Sequence, residues 1–199
     1  MYKYMEDLRI TKTKNRLKEA FLSLIVKCDF ESISVTNICK EATISRITFY
    51  EHYKDKYELL EDIFKDMDLE ALDQYKVREL ENNKEADPYK TISNYLYYFV
   101  KALNKRINLI VSISTHYAGY IYFAFENFFK LKFRDMLINS GINKKLKYSL
   151  DQTVSFITGG VLSFIVTGVK VNKYQNFESI FYDSKDLFVS LINSEFLYE

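Results

Sequence analysis

The side chains best suited to act on a partner lie together in Ser45-Arg46-Ile47-Thr48-Phe49-Tyr50-Glu51-His52-Tyr53. Arg46 can donate two hydrogen bonds to a guanine edge, and Ile47 and Thr48 can touch a thymine methyl. Tyr50 and His52 can reach phosphate oxygens. Phe49 and Tyr53, four positions apart, can point inward and hold such a helix to a scaffold. Lys56 follows at the start of another helix, where its charge and the free backbone N–H groups can clamp a phosphate. Catalysis has little to draw on. His52 and His116 are the only histidines, and neither has Cys, Asp or Glu at metal-ligand spacing. There is no G-x-S-x-G, no Gly-rich phosphate loop and no H-E-x-x-H. Glu58, Glu61 and Asp62 fall on a charged helix face that solvation explains. The expectation is a binding protein without a cofactor or metal, not an enzyme.

The elements that position these residues read as helices throughout. One Pro and five Gly in 199 residues make turns scarce, and apolar residues recur at three- and four-residue spacing, which predicts an all-α chain. Leu17, Ala20, Phe21, Leu24, Ile25 and Cys28 mark the first helix. Ser34 is placed to cap a short helix from Val35 through Ala42, and Ser45 another from Arg46 to about Tyr53. Two short capped helices behind a longer one describe a helix-turn-helix. Asp55 caps a long helix whose apolar positions, from Leu59 to Leu72, persist to about Tyr75. Asp87-Pro88 restarts helix after a polar run. Further helices are expected from Leu109 to about Ser114, Tyr117 to Ile138, Leu146 to Val171, and Phe177 to Leu197.

Charge is distributed unevenly although the net is +1. Residues 1–56 carry 11 Lys/Arg against 8 Asp/Glu, 57–87 carry 4 against 11, and 88–199 carry 13 against 8. A basic head followed by an acidic stretch suits a chain that offers one end to phosphate. Cys28 and Cys39 lack C-x-x-C spacing and read as buried thiols, consistent with a reducing cytoplasm. Residues Met1 to Asp7 do not read as a signal peptide. The uncharged stretch Gln152–Val169 contains several Ser and Thr and reads as a buried helix, with no membrane partner expected.

From Ser34 to Leu60 the sequence resembles the DNA-binding signature of the TetR family of bacterial repressors. The resemblance is carried most strongly by Thr48-Phe49-Tyr50, His52-Tyr53, Lys56 and Leu59-Leu60, with Ala20, Phe21 and Phe30 matching the family's first helix. It implies a three-helix DNA-binding domain over residues 1–56 and a larger helical regulatory and dimerisation domain over 57–199. Within the first, it implies that Arg46, Ile47 and Thr48 face bases, with Ser45 among the DNA-binding residues, and that Thr36, Tyr50, His52 and Lys56 grip phosphates. Lys12 and Lys14 are better read as solvated. Asp29 stands where the family usually has Gly and would tolerate a left-handed backbone. Thr43 also replaces a turn Gly, less comfortably because it is β-branched. Ile47 replaces a third Gly and leaves the operator open.

The resemblance further implies a homodimer that reads palindromic double-stranded DNA, paired through the last two helices. The apolar stripes Val154, Ile157, Val161, Leu162, Ile165 and Phe181, Phe188, Leu191, Ile192 are the expected interface. Gly159-Gly160 would pay for its low helix propensity by admitting a close neighbour. Tyr95, Tyr98, Phe99, His116, Tyr117, Tyr120, Phe123 and Tyr148 could line a pocket for a small apolar or aromatic effector. The alternatives are control by a protein partner, and a helical protein–protein interaction module that does not bind DNA.

Overall fold

The computed structural model describes residues 2–82, 88–106, 108–109, 112 and 119–171, with positions 179, 183, 186, 187 and 190. Their regular elements are helices, as the periodicity predicts: α1 (Tyr2–Leu24), α2 (Val35–Ala42), α3 (Arg46–His52), α4 (Lys56–Asn82), α5 (Pro88–Asn104), α6 (Tyr120–Asn139) and α7 (Leu150–Val171). Short 3-10 turns cover Phe30–Ser32 and Ile142–Lys145. The chain divides into two compact units, Met1–Asp66 and Met67–Glu199. The first unit therefore extends past the expected boundary at residue 56 and includes the first turns of α4. The burial of Leu59, Leu60, Ile63 and Phe64 accounts for this.

Capping chemistry sets the helix starts of the first unit. Ser34 Oγ accepts from Asn37 N at 3.1 Å, and Asn37 Oδ1 accepts in return from Ser34 N at 3.0 Å, a reciprocal box. Ser45 Oγ accepts from Thr48 N at 3.1 Å. Asp55 Oδ1 accepts from Tyr57 N and Glu58 N, both at 2.9 Å, and Glu58 Oε2 reaches back to Lys54 N at 2.6 Å. Leu17, Phe21, Ile25, Ile38 and Phe49 are fully buried and form the core of this unit.

Other boundaries differ from the sequence reading. α4 runs to Asn82, beyond Tyr75, because Lys76 to Asn82 keep helix-favouring Lys, Arg, Glu and Leu after the apolar period fades. α6 begins at Tyr120 after Gly119, and residues 113–118 lie outside the described residues. α7 begins at Leu150 instead of Leu146, since a 3-10 turn occupies Ile142–Lys145 and Ser149 Oγ accepts from Gln152 N at 3.3 Å. Gly141, at φ +75°, supplies the left-handed residue that ends α6. α7 has the length and hydropathy of a bilayer span, but Val154, Ile157, Val161, Leu162, Ile165 and Val166 on one face are buried within the chain. Most of the helix expected at Phe177–Leu197 lies outside the described residues.

Between α2 and α3 the chain turns through Thr43, at φ 55° and ψ 47°. It is the one non-glycine residue with positive φ among the described residues. Asp29, by contrast, sits at φ −59° and needs no left-handed tolerance. A Cβ in the left-handed region costs roughly 1–2 kcal/mol, and the greater unfolded-state freedom of Gly offsets about half of that. Thr43→Gly should therefore stabilise the protein by about 0.5–1 kcal/mol and raise Tm by about 2–3 °C. Calorimetry would check it; a lower Tm would mean that the Thr43 side chain contributes more than its backbone costs.

Candidate nucleic-acid interface

α3 is seven residues long, too short to hold a helical conformation or a direction without tertiary anchors. Three anchors are present. Ser45 caps its start, Phe49 is wholly buried on its inner face, and Tyr53 is 2% exposed just beyond its end. The Tyr53 hydroxyl donates to Asp62 Oδ2 on α4 at 2.8 Å. The same oxygen receives Lys18 Nζ at 2.9 Å and Lys14 Nζ at 3.3 Å, both from α1. Lys18 also reaches Asp66 at 2.6 Å. One carboxylate thus joins α1, α4 and the end of α3.

This clamp turns the opposite face of α3 to solvent. Ile47 is 76% exposed and Tyr50 51% exposed, and Arg46 is exposed beside them. The Arg46 guanidinium lies 5.9 Å from the Tyr50 ring centroid, a cation–π contact that orders both side chains. Thr48 and His52 are half-buried at the edges of the same face. Ser45 is exposed, but its hydroxyl is engaged with Thr48 N and lies 3.0 Å from Thr48 Oγ1. Thr36 is exposed in the first turn of α2. Of the thiols, Cys39 is buried, and burial raises its pKa; Cys28 is only half-buried.

Lys56 departs from the expected phosphate contact. Its side chain is 11% exposed, and Nζ donates to the carbonyls of Phe30 at 2.7 Å and Glu31 at 3.1 Å. It also lies 4.4 Å from the Phe30 ring centroid. The N–H groups of Tyr57 and Glu58 are taken by Asp55. Lys56 therefore fastens the 3-10 turn to the start of α4, and that helix end offers no open cradle for a phosphate. A lysine's long reach to main-chain carbonyls some 25 residues away leaves no local signal in sequence. Arg16 was missed for the same reason; its Nη2 donates to the Ala42 carbonyl at 2.7 Å and steadies the end of α2.

A crystal structure of a TetR-family transcriptional regulator from Syntrophomonas wolfei superposes with a TM-score of 0.70 at 16% identity, over 93% of this chain and 97% of that one. The chain has the TetR-regulator fold. A TetR transcriptional regulator from Streptococcus agalactiae gives a TM-score of 0.56 at 20% identity, over 95% and 98% of the two chains. In sequence, the chain is 35% identical over 68 residues to the uncharacterized HTH-type transcriptional regulator YxbF of Bacillus subtilis strain 168. That match covers 34% of this chain and 18% of the relative's length. No family model matches the chain.

Within this TetR-type fold the expected effector and dimer residues that are described fall in different settings. Val154, Ile157, Val161, Leu162 and Ile165 are each at most 7% exposed inside one chain. They are intramolecular core and cannot also form an outer face. Phe181, Phe188, Leu191 and Ile192 lie outside the described residues, as do His116 and Tyr117 of the expected pocket. Phe99 is buried against Phe125, Phe128 and Phe129 with ring centroids 5.6–6.3 Å away, and Tyr98 is 7% exposed. Tyr120, Phe123 and Tyr148 are on the surface. Of the expected set, Tyr95 lines a cleft of about 600 Å³ in the second unit. Its other walls include Asp68, Leu72 and Tyr75 on α4 and Lys132, Asp135 and Met136 on α6. Those residues recur at three- and four-residue spacing, but nothing local says that the two stripes face each other.

The clamp has a pH signature. Burial raises the Asp62 pKa, but hydrogen bonds from Lys18 and Tyr53 and the charges of Lys18 and Lys14 outweigh it and hold it at about 2, against 3.8 ordinarily. The folded state therefore binds this proton less readily than the unfolded one. The stabilisation is complete above about pH 5 and is lost as pH falls through the folded pKa. The shift corresponds to about 2 kcal/mol. Asp62→Asn should cost about that much at pH 7 in urea denaturation, with roughly half of the gap gone at pH 3. A pH-independent gap would show that the carboxylate's charge is not what matters.

Proposed function

We propose that the protein is a sequence-specific DNA-binding transcriptional regulator of the TetR type, acting in the cytoplasm as a homodimeric repressor on a palindromic operator. The observation that carries this reading is Ile47, 76% exposed in the first turn of a capped helix on which Phe49, two positions later, is fully buried. An apolar side chain held in water by a rigid helix is costly for a free protein and useful against a thymine methyl. Arg46 is the donor to a base edge, with Thr48 beside it, while Ser45 sets the start of the helix. Thr36, Tyr50 and His52 take phosphates. Lys40 and Lys54, exposed on either side of α3, add charge. Lys56 acts as a positioning residue.

Dimerisation falls to the outer face of α7. Phe156, Gly160, Phe164 and Val171 follow one another at spacings of about one or two turns and are exposed, Phe156 at 62% and Val171 at 73%. Nothing lies within 4 Å of a Cβ built on Gly160, so the glycine is open for a second copy's helix to approach. Two paired subunits place two copies of α3 about one DNA turn apart. An effector bound in the second unit would alter that spacing through α4, whose sequence is shared by both units. The rival reading, an interaction module without DNA binding, predicts no retention on random duplex.

A duplex chosen from random oligonucleotides should show an inverted repeat, and binding to random DNA should weaken steeply with added salt. Arg46→Ala should relax preference at one base pair per half-site, by about 1–3 kcal/mol, with Tm and random-duplex affinity nearly unchanged. Protein that ignores DNA at low ionic strength would refute the assignment. Phe164→Glu should yield monomers in sedimentation and cut operator affinity at least a hundredfold; a dimer that persists would place the interface elsewhere.

A further inference from the structure

The cleft of the second unit has a chemistry of its own. Asp68, 6% exposed, accepts the Tyr95 hydroxyl at 2.6 Å on one oxygen and pairs with Lys132 Nζ at 2.6 Å through the other. Burial, then the hydrogen bond to Asp68, drives the Tyr95 pKa upward, so this phenol stays a donor. The charges of Asp68 and Lys132 cancel. Asp135, one turn beyond Lys132 on α6, also lines the cleft and has no ion-pair partner among the described residues. Among the described lining residues the cleft therefore carries one net negative charge. Around it stand the aliphatic Leu72 and Met136 and the aromatic rings of Tyr75 and Tyr95.

We propose that this cleft binds an organic cation: an apolar body of drug-like size bearing one positive charge. The volume of about 600 Å³ is that of a small-molecule pocket and far exceeds an ion's needs. A cation gains Asp135 and aromatic surface. An anion would meet two carboxylates and a single ammonium already committed to one of them. Because α4 lines the cleft through Asp68 and Leu72, occupancy bears on the helix that continues from the DNA-binding unit; this consequence, though not the binding itself, rests on the regulator reading.

Tetraphenylphosphonium and tetraphenylborate have nearly the same size and apolar surface and opposite charge. Calorimetric titration of the full chain in sodium buffer should give micromolar affinity for the cation and at least tenfold weaker binding of the anion. Asp135→Asn, at an exposed position, should weaken the cation fivefold to tenfold without moving Tm. Leu72→Trp, which fills the cleft, should abolish it. Equal affinity for the two ions, or indifference to both substitutions, would overturn the proposal. Duplex binding measured alongside separates the two claims: intact DNA binding without cation binding sinks only the ligand class, whereas cation binding by a protein blind to DNA sinks only the regulator reading.

Discussion

Everything that α3 can do depends on the carboxylate of Asp62. A helix of seven residues has no intrinsic rotational register. Phe49 alone would keep it attached but let it roll, because a buried ring resists withdrawal more than rotation. The hydrogen bond from Tyr53 to Asp62 adds a second, directional anchor one turn later, and Lys14 and Lys18 fix the carboxylate in turn. Partly buried ion pairs contribute little net stability once desolvation is counted, and removing one partner is what costs. The value of this cluster is geometric: with both ends of α3 tied down, Arg46 and Ile47 can face only one way.

Local chemistry was legible in sequence wherever a side chain acts on its own or a neighbouring turn. The caps Ser34, Ser45 and Asp55, the inward pair Phe49 and Tyr53, and the start of α5 at Pro88 follow from residue type and spacing, and the structure shows them. Interactions across the chain were not legible. Lys18 and Asp62 are 44 positions apart, and each alone reads as a solvated charge on an amphipathic helix. Lys56 looked like a phosphate ligand because its position at a helix start was visible and the carbonyls of Phe30 and Glu31 were not. α7 posed the hardest case. With apolar residues on both faces, its periodicity could not say which stripe is turned inward, and the expectation chose Val154 and Ile157, which the chain itself buries.

The same limit bears on the pocket expected from the aromatic residues. Aromatic residues in α5 and α6 are numerous enough to suggest a lined cavity, yet Phe99, Phe125 and Phe129 close on one another at 5.6–6.3 Å and fill the space. Packing favours this, since offset and edge contacts between rings add to the gain from burial. A cavity survives where packing is interrupted by groups that must keep polar partners. Asp68, Lys132 and Tyr95 are such groups, and the cleft lies beside them.

The acidic stretch at residues 57–87 also takes on a different meaning once the pairs are known. On paper it is a negative block between two basic ones, suited to repelling DNA. In the folded chain many of its carboxylates are committed. Asp62 and Asp66 neutralise Lys14 and Lys18 of α1, Asp68 neutralises Lys132 of α6, and Glu70 pairs with Lys105 and Arg106 after α5. α4 thus acts as a common counter-charge for helices before and after it in sequence, which is why the segment totals oppose one another while the whole is near neutral. In the first unit Lys14, Lys18, Lys27 and Lys56 have carboxylate partners, while Arg9, Lys12, Arg16, Lys40, Arg46, Lys54 and Lys65 are exposed. Those exposed cations supply a phosphate attraction that is salt-dependent and blind to sequence. Discrimination among sequences must then rest on how well the fixed face of α3, with Arg46 and Ile47 in its first turn, fits the groove it meets.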